Sequence, residues 1–112
     1  MSEWKAFRKE VNKFGKRITP EQAYSLSDSF NLYTLRRDQD ALSSFYSIIQ
    51  KGTGASDEMI RHLIDENKEI NKGGPMSIMD ILEKTAKNKE AKGAITATIT
   101  QIFNLERYDA LK

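Results

Sequence analysis

The first seventeen residues carry an apolar stripe whose spacing predicts one amphipathic α-helix. Trp4, Phe7, Val11 and Phe14 recur at intervals of three and four residues, which places their side chains along one side of a helix. At about 100° per residue these four side chains occupy an arc of roughly 80°. A stripe of this width is typical of a helix that docks on its own domain, on a partner protein or on a polyanion.

The opposite side of this predicted helix is basic. Residues 1–17 contain six basic and two acidic residues, a net charge of +4, whereas the other residues contain twelve basic and fourteen acidic, a net charge of −2. Such a local positive field suits a basic patch on a nearly neutral body, not a uniformly basic nucleic-acid-binding protein. The basic side chains are Lys5, Arg8, Lys9, Lys13, Lys16 and Arg17.

Helix start and stop signals divide the next part of the chain. Gly15 stands where a C-terminal glycine would end the first helix. Thr19 is a predicted N-cap, because Pro20 follows at the first helical position and Gln22 completes a capping box. Residues 20–51 are expected to form two or three helices, because serines and the Asp-Gln-Asp step at 38–40 interrupt them.

Similar signals continue through the second half of the chain. Ser56 is predicted to cap a helix whose apolar face (Met59, Ile60, Leu63, Ile64 and Ile70) ends at the Gly-Gly-Pro sequence 73–75. Ser77 resembles the start of a further helix, which is predicted to run from Ile78 to about Ala91.

Residues 94–103 are ambiguous between a helix and a strand. Six of these ten residues are β-branched, which favours a strand, but Ile95, Ile99 and Ile102 would share one face of a helix. We favour a helix, because a lone strand could pair only across a dimer. The sequence therefore predicts an all-α, single-domain bundle of about five helices over residues 1–112, with the first helix packing its stripe on residues 30–50.

Composition limits the classes of protein that this chain can represent. It has 112 residues and no cysteine, which excludes disulfides, thiolate catalysis and cysteine-based zinc sites. No apolar run reaches the roughly 20 residues that span a bilayer, and a signal peptide is not evident, so we expect a cytoplasmic protein. The excess of lysine over arginine is common in low-GC bacteria and their phages.

Catalytic motifs are sparse in this sequence. His62 is the only histidine, and helical spacing would place Glu58, Asp65 and Glu66 beside it. This arrangement allows a third hypothesis, a ligand- or metal-binding protein, but a solvated helix face with ordinary charge pairs is the simpler interpretation. The glycines at 52–54 and 73–74 are not followed by the Gly-Lys-Ser/Thr sequence of a phosphate-binding loop. We therefore predict no enzyme activity, no bound metal and no cofactor.

The remaining candidates for function are binding surfaces. We predict a small regulatory protein that acts through a protein–protein interface, and the apolar residues in 42–49 and 95–103 leave a homo-oligomer open. The alternative is a DNA- or RNA-binding protein that uses the basic face of the first helix. Arg36 and Arg37 would add to that site, although the adjacent Asp38 and Asp40 are expected to neutralise them in part. Membrane binding by the first helix is less favoured, because core docking explains the stripe more simply.

Overall fold

The computed structural model describes residues 2–66 and 74–111, which form six α-helices and no strand. The buried apolar side chains of these residues form one continuous cluster at the centre of a compact bundle. The all-α prediction is confirmed, with six helices in the described ranges where about five were expected. They are α1 (Ser2–Arg17), α2 (Pro20–Arg36), α3 (Gln39–Thr53), α4 (Asp57–Glu66), α5 (Pro75–Thr85) and α6 (Lys89–Leu111).

The apolar stripe of α1 belongs to the core. Trp4, Phe7, Val11 and Phe14 are all buried, and α1 packs on α3 as well as on α5. The expected contact with residues 30–50 is therefore made by α3, whereas the contact with α5 was not predicted. Because the whole stripe is buried within the chain, it is not free to contact a membrane or a partner.

Gly15 does not end α1, which continues to Arg17. This prediction was wrong because the glycine serves a close approach between two helices. A Cβ atom on Gly15 would lie 2.9 Å from Thr85 Cβ and would also overlap Thr85 Oγ1. The absence of a side chain at this position lets α1 approach α5 closely.

The predicted start of α2 and the predicted break after it are both confirmed. The Gln22 N–H donates to Thr19 Oγ1 at 3.2 Å, and the Thr19 N–H donates to Gln22 Oε1 at 2.9 Å, which completes the capping box. Asp38 then caps α3 by accepting hydrogen bonds from the backbone N–H groups of Asp40 and Ala41. The serines of α2 do not interrupt it, so residues 20–53 form two helices.

The bounds of α4 and α5 confirm one predicted start and correct another. Ser56 caps α4 as expected, because its Oγ accepts a hydrogen bond from the Met59 N–H at 3.1 Å. The predicted positions of Ile70 and Gly73 lie outside the described residues. Ser77 does not begin α5, since the helix starts at Pro75 and the Ser77 hydroxyl donates to the Gly74 carbonyl at 2.6 Å.

The predicted helix from Ile78 to Ala91 is in fact divided between α5 and α6. α5 ends at Thr85, and Asn88 begins the next helix because its Oδ1 accepts a hydrogen bond from the Ala91 N–H at 3.0 Å. Asn88 was not predicted as an N-cap, although asparagine is among the preferred residues at that position.

Residues 94–103 lie within α6, so the preferred helical interpretation is confirmed. Ile95, Ile99 and Ile102 are buried on one face, as the helical spacing predicted. Thr98 is also buried, and its hydroxyl donates to the Ala94 carbonyl at 3.0 Å, which satisfies a polar group that would otherwise be costly to bury.

The apolar segments that suggested an oligomer are largely absorbed by the core. In residues 42–49 the large side chains Leu42, Phe45, Tyr46 and Ile49 are buried, and Phe103 is the exposed large apolar residue of 95–103. Their apolar load is therefore not in itself a sign of self-association.

Candidate functional site

Helices α2 and α6 lie side by side and run in the same direction. The Tyr24 hydroxyl donates to Glu90 Oε1 at 3.0 Å, and the Ser27 hydroxyl donates to the Ala94 carbonyl at 3.4 Å. Further along both helices, Tyr33 of α2 and Ile102 of α6 line the same cleft. The C-terminal turns of α2 therefore lie at the same end of the bundle as residues 102–105 of α6.

Large apolar side chains are exposed at this end. On α2 they are Leu32 and Leu35, and on α6 they are Phe103 and Leu105. Their exposed fractions are 41% for Leu32, 52% for Leu35, 52% for Phe103 and 39% for Leu105. We call these four residues the apolar end. Single exposed apolar residues are normal on a protein surface, but several of them at one end of a small domain are typical of an interaction surface.

A cleft of about 400 Å³ opens at the same end, between α2, α5 and α6. Apolar side chains form much of its wall, and Phe103 belongs both to this wall and to the apolar end. Four further lining residues have polar side chains, namely Tyr33, Thr34, Arg37 and Asp80. The apolar lining residues are Phe30, Pro75, Met76, Ile102 and Phe103.

Arg37 has an unusual backbone conformation for its residue type. It follows the end of α2 with φ 54° and ψ 33°, and it is the one non-glycine residue with positive φ in the part of the chain that the structure describes. Its N–H donates to the Tyr33 carbonyl at 2.8 Å, which closes the last turn of the helix. Left-handed residues at this position are most often glycine, because a Cβ atom strains the conformation.

No ion pair joins Arg36 or Arg37 to the adjacent Asp38 and Asp40 in the described ranges. The Asp38 carboxylate is occupied as the N-cap of α3. Arg36 and Arg37 are exposed, and neither forms an ion pair with any residue in the described ranges. Arg37 therefore keeps its charge unpaired at the cleft.

The six candidate basic residues of α1 are all exposed, but they are not equivalent. Lys13 lies 3.5 Å from Glu10 in an ion pair. Arg17 donates to the Gly52 carbonyl of α3 at 2.5 Å and lies over the Phe14 ring, so it contributes to packing. The other four, which form no ion pair with the described residues, are Lys5, Arg8, Lys9 and Lys16.

The structure does not bring all the basic candidates together. Arg37 lines the cleft, whereas no residue of α1 does. The basic face of α1 therefore lies outside the cleft that Arg37 lines.

His62 is exposed on α4, in a shallow depression that it shares with Ser56, Glu58 and Met59. In the described ranges, no group of three histidine or carboxylate side chains is arranged to hold a metal ion. The predicted neighbours Asp65 and Glu66 are also exposed on this helix.

Comparisons with known proteins found no match to a family model, to a curated protein or to a solved structure. None of the helices in the described ranges is both long enough and apolar enough to cross a membrane.

The apolar end and its cleft were not predicted from the sequence. Leu35, for example, is about half exposed, and no exposed apolar surface was predicted on residues 20–51. Helical spacing could have indicated this exposure, because Leu32 and Leu35 do not lie on the buried face of α2. That face is formed by Ala23, Leu26, Ser27 and Phe30. No short sequence pattern indicates the cleft, because its lining residues come from three separate segments of the chain.

Proposed function

We propose that this chain is a non-catalytic binding protein that contacts another protein through its apolar end. The observation that carries this proposal is the exposure of four large apolar side chains at one end of a small helical bundle. Burying such side chains against a partner would contribute about 25 cal/mol per Å² of apolar surface removed from water. The partner would present a row of apolar side chains to α2 and α6.

The polar residues around the apolar end support the same proposal. Arg36 is exposed next to Leu35 and forms no ion pair with the described residues. Interfaces commonly combine an apolar centre with a polar rim, in which arginine is enriched. The same end therefore offers both an anchor surface and a charged rim.

Replacing both Leu32 and Leu35 with aspartate is expected to weaken binding of the partner at least tenfold. Both side chains are exposed, so the folded state should tolerate the change, while the interface would have to bury two carboxylates. The measurement is affinity capture from an extract of the native cell, with the bound proteins quantified by mass spectrometry and folding checked by circular dichroism.

Met59→Asp is the matched control for this experiment, because Met59 is 40% exposed on α4 and is not part of the apolar end. It should capture the same proteins as the unmodified chain. Equal capture by the Leu32/Leu35 double variant and the unmodified chain would contradict the proposed interface.

A second candidate function is nucleic-acid binding by the basic face of α1. Its specific support is that Lys5, Lys9 and Lys16 are exposed on one side of the helix and form no ion pair with described residues. Unpaired lysines along a helix can contact successive phosphates and displace the counterions of a nucleic acid.

For this candidate, Lys5→Glu combined with Lys9→Glu is expected to weaken binding to a mixed-sequence DNA duplex at least tenfold. If three phosphates are contacted, raising the salt concentration from about 50 to 200 mM should weaken binding of the unmodified protein about 40-fold. Fluorescence anisotropy with a labelled duplex measures both effects.

The control for the lysine experiment is the double variant Lys87→Glu, Lys89→Glu, which makes the same charge change at exposed residues outside α1. Binding that is independent of salt, or that both double variants reduce equally, would remove the nucleic-acid candidate.

A further inference from the structure

The cleft between α2, α5 and α6 has the size and lining of a small-molecule site. Its volume of about 400 Å³ falls within the roughly 300 to 1,000 Å³ usual for ligand pockets. Two phenylalanines, a methionine and an isoleucine are among its apolar lining residues, and polar residues of α2 and α5 line the same space together with Arg37, which follows α2. A few polar groups converging on an apolar cleft are the usual arrangement for binding a ligand in one orientation.

We propose that this cleft binds a small organic acid, in which an apolar ring system carries a carboxylate or a similar anionic group. The ring would lie against the apolar walls, and the anionic group would pair with the Arg37 guanidinium. A planar guanidinium binds a carboxylate through two parallel hydrogen bonds, which makes arginine well suited to this role.

Four observations on Arg37 support its assignment as the anion-binding residue. It lines the cleft, it forms no ion pair with the described residues, and the neighbouring Asp38 carboxylate is engaged in capping α3. Its left-handed backbone is a fourth indication, because glycine or asparagine would fit this helix end with less strain. Strained backbone positions are concentrated at functional sites.

Asp80 of α5 gives the cleft a second, opposite charge. It is half-buried, lines the cleft and forms no ion pair with any described residue, Arg37 included. Its carboxylate would repel the anionic group of a ligand and accept a hydrogen bond from a hydroxyl or amino group elsewhere on it. The preferred ligand therefore carries its acid group toward α2 and a hydrogen-bond donor toward α5.

This inference goes beyond the proposed protein interface and does not depend on it. Phe103 belongs to both surfaces, but Leu32 and Leu35, whose substitution tests the interface, do not line the cleft. The two proposals can therefore fail separately.

The test is a two-dimensional NMR titration of the full chain with 2-naphthoate and, in parallel, with 2-naphthamide. The two probes share a ring system, and only the first carries a negative charge. Naphthoate is expected to shift the amide signals of Tyr33, Met76 and Phe103 and to bind at least tenfold more tightly than the amide. Arg37→Gln should abolish this tenfold preference, whereas Arg36→Gln should retain it, because Arg36 is not a lining residue.

Two further variants separate the loss of binding from a loss of folding and separate the cleft from the protein interface. Arg37→Gly should raise the urea midpoint, since glycine suits the left-handed backbone, and should still lose the preference for the acid. The Leu32→Asp, Leu35→Asp double variant should keep naphthoate binding, even if it loses the protein partner.

Each of three results would overturn the assignment of the cleft. The first is that millimolar naphthoate leaves the signals of the lining residues unshifted. The second is that naphthoate and naphthamide bind equally well to the unmodified chain. The third is that Arg37→Gln and Arg36→Gln have the same effect on the preference.

Discussion

Gly52→Ala is expected to lower the free energy of unfolding by about 3 kcal/mol. Gly52 lies within α3, and a Cβ atom placed there would be 2.6 Å from two atoms of the Phe14 ring. Phe14 is fully buried, so its ring has no free space into which it can move. The gain of about 1 kcal/mol in helix propensity on replacing glycine with alanine does not offset such an overlap.

Gly93→Ala is the matched control for this substitution. Gly93 also lies within a helix, but nothing lies within 4 Å of a Cβ atom placed there. This variant should therefore gain stability by about 0.5 to 1 kcal/mol. Urea denaturation followed by circular dichroism measures both changes.

If the overlap with Phe14 causes the loss of stability, the size of the loss should depend on the side chain at position 14. In a Phe14→Leu background, Gly52→Ala should cost less, because the smaller side chain leaves room for the added methyl group. Unchanged stability of Gly52→Ala, or an equal cost in both backgrounds, would contradict this packing.

The helices of this chain could be predicted where their signals are local. The stripe of α1, the Thr19 capping box and the Asp38 break each depend on residues within a few positions of one another, and each is confirmed. The glycines were harder to interpret, because a glycine beside an apolar stripe is also the usual sign of a helix end. At Gly15 the deciding fact is the approach of Thr85, which is seventy residues away and cannot be read from local sequence.

The candidate site was predictable only in part, for the same physical reason. The exposure of the basic residues on α1 follows from the helical period, so the sequence could indicate that face. The cleft depends on α2, α5 and α6 meeting, and it joins residues 30–37 with 75–80 and 102–103. Arg37 was predicted as a binding residue from its charge, but its position at the cleft depends on the packing of three helices and is not a local property of the sequence.

The two faces of α1, one buried and apolar and the other exposed and basic, bear on both proposed functions. Its apolar stripe is used by the core, so the helix is not an independent arm that could leave the bundle without exposing Val11 and Phe14. Its basic face is therefore presented on a fixed scaffold, which favours binding by a rigid surface. The apolar end lies on other helices, so a charge change on α1 and an apolar change on α2 test separate surfaces.

Tyr46 is expected to make the stability of this fold sensitive to alkaline pH. Burial raises the pKa of its hydroxyl to about 12, and Tyr33, Asp57 and Asp65 act in the same direction, while Arg61 lowers it. The ordinary pKa of tyrosine is about 10, so between pH 10 and 12 the unfolded chain releases this proton and the folded chain retains it. Stability is thus fully present below pH 10 and decreases as the pH rises through the folded pKa, by about 2 to 3 kcal/mol.

Tyr46→Phe isolates this contribution, because the variant keeps the buried ring and removes the titrating hydroxyl. Other groups that titrate in this range, including the lysines, are common to both proteins and cancel in the difference between them. Urea denaturation of both proteins at intervals from pH 9 to 12 should give curves that diverge above pH 10, with the unmodified protein losing more stability. Parallel curves would mean that Tyr46 releases its proton equally readily in both states, and that its hydroxyl is better solvated than the burial of the residue implies.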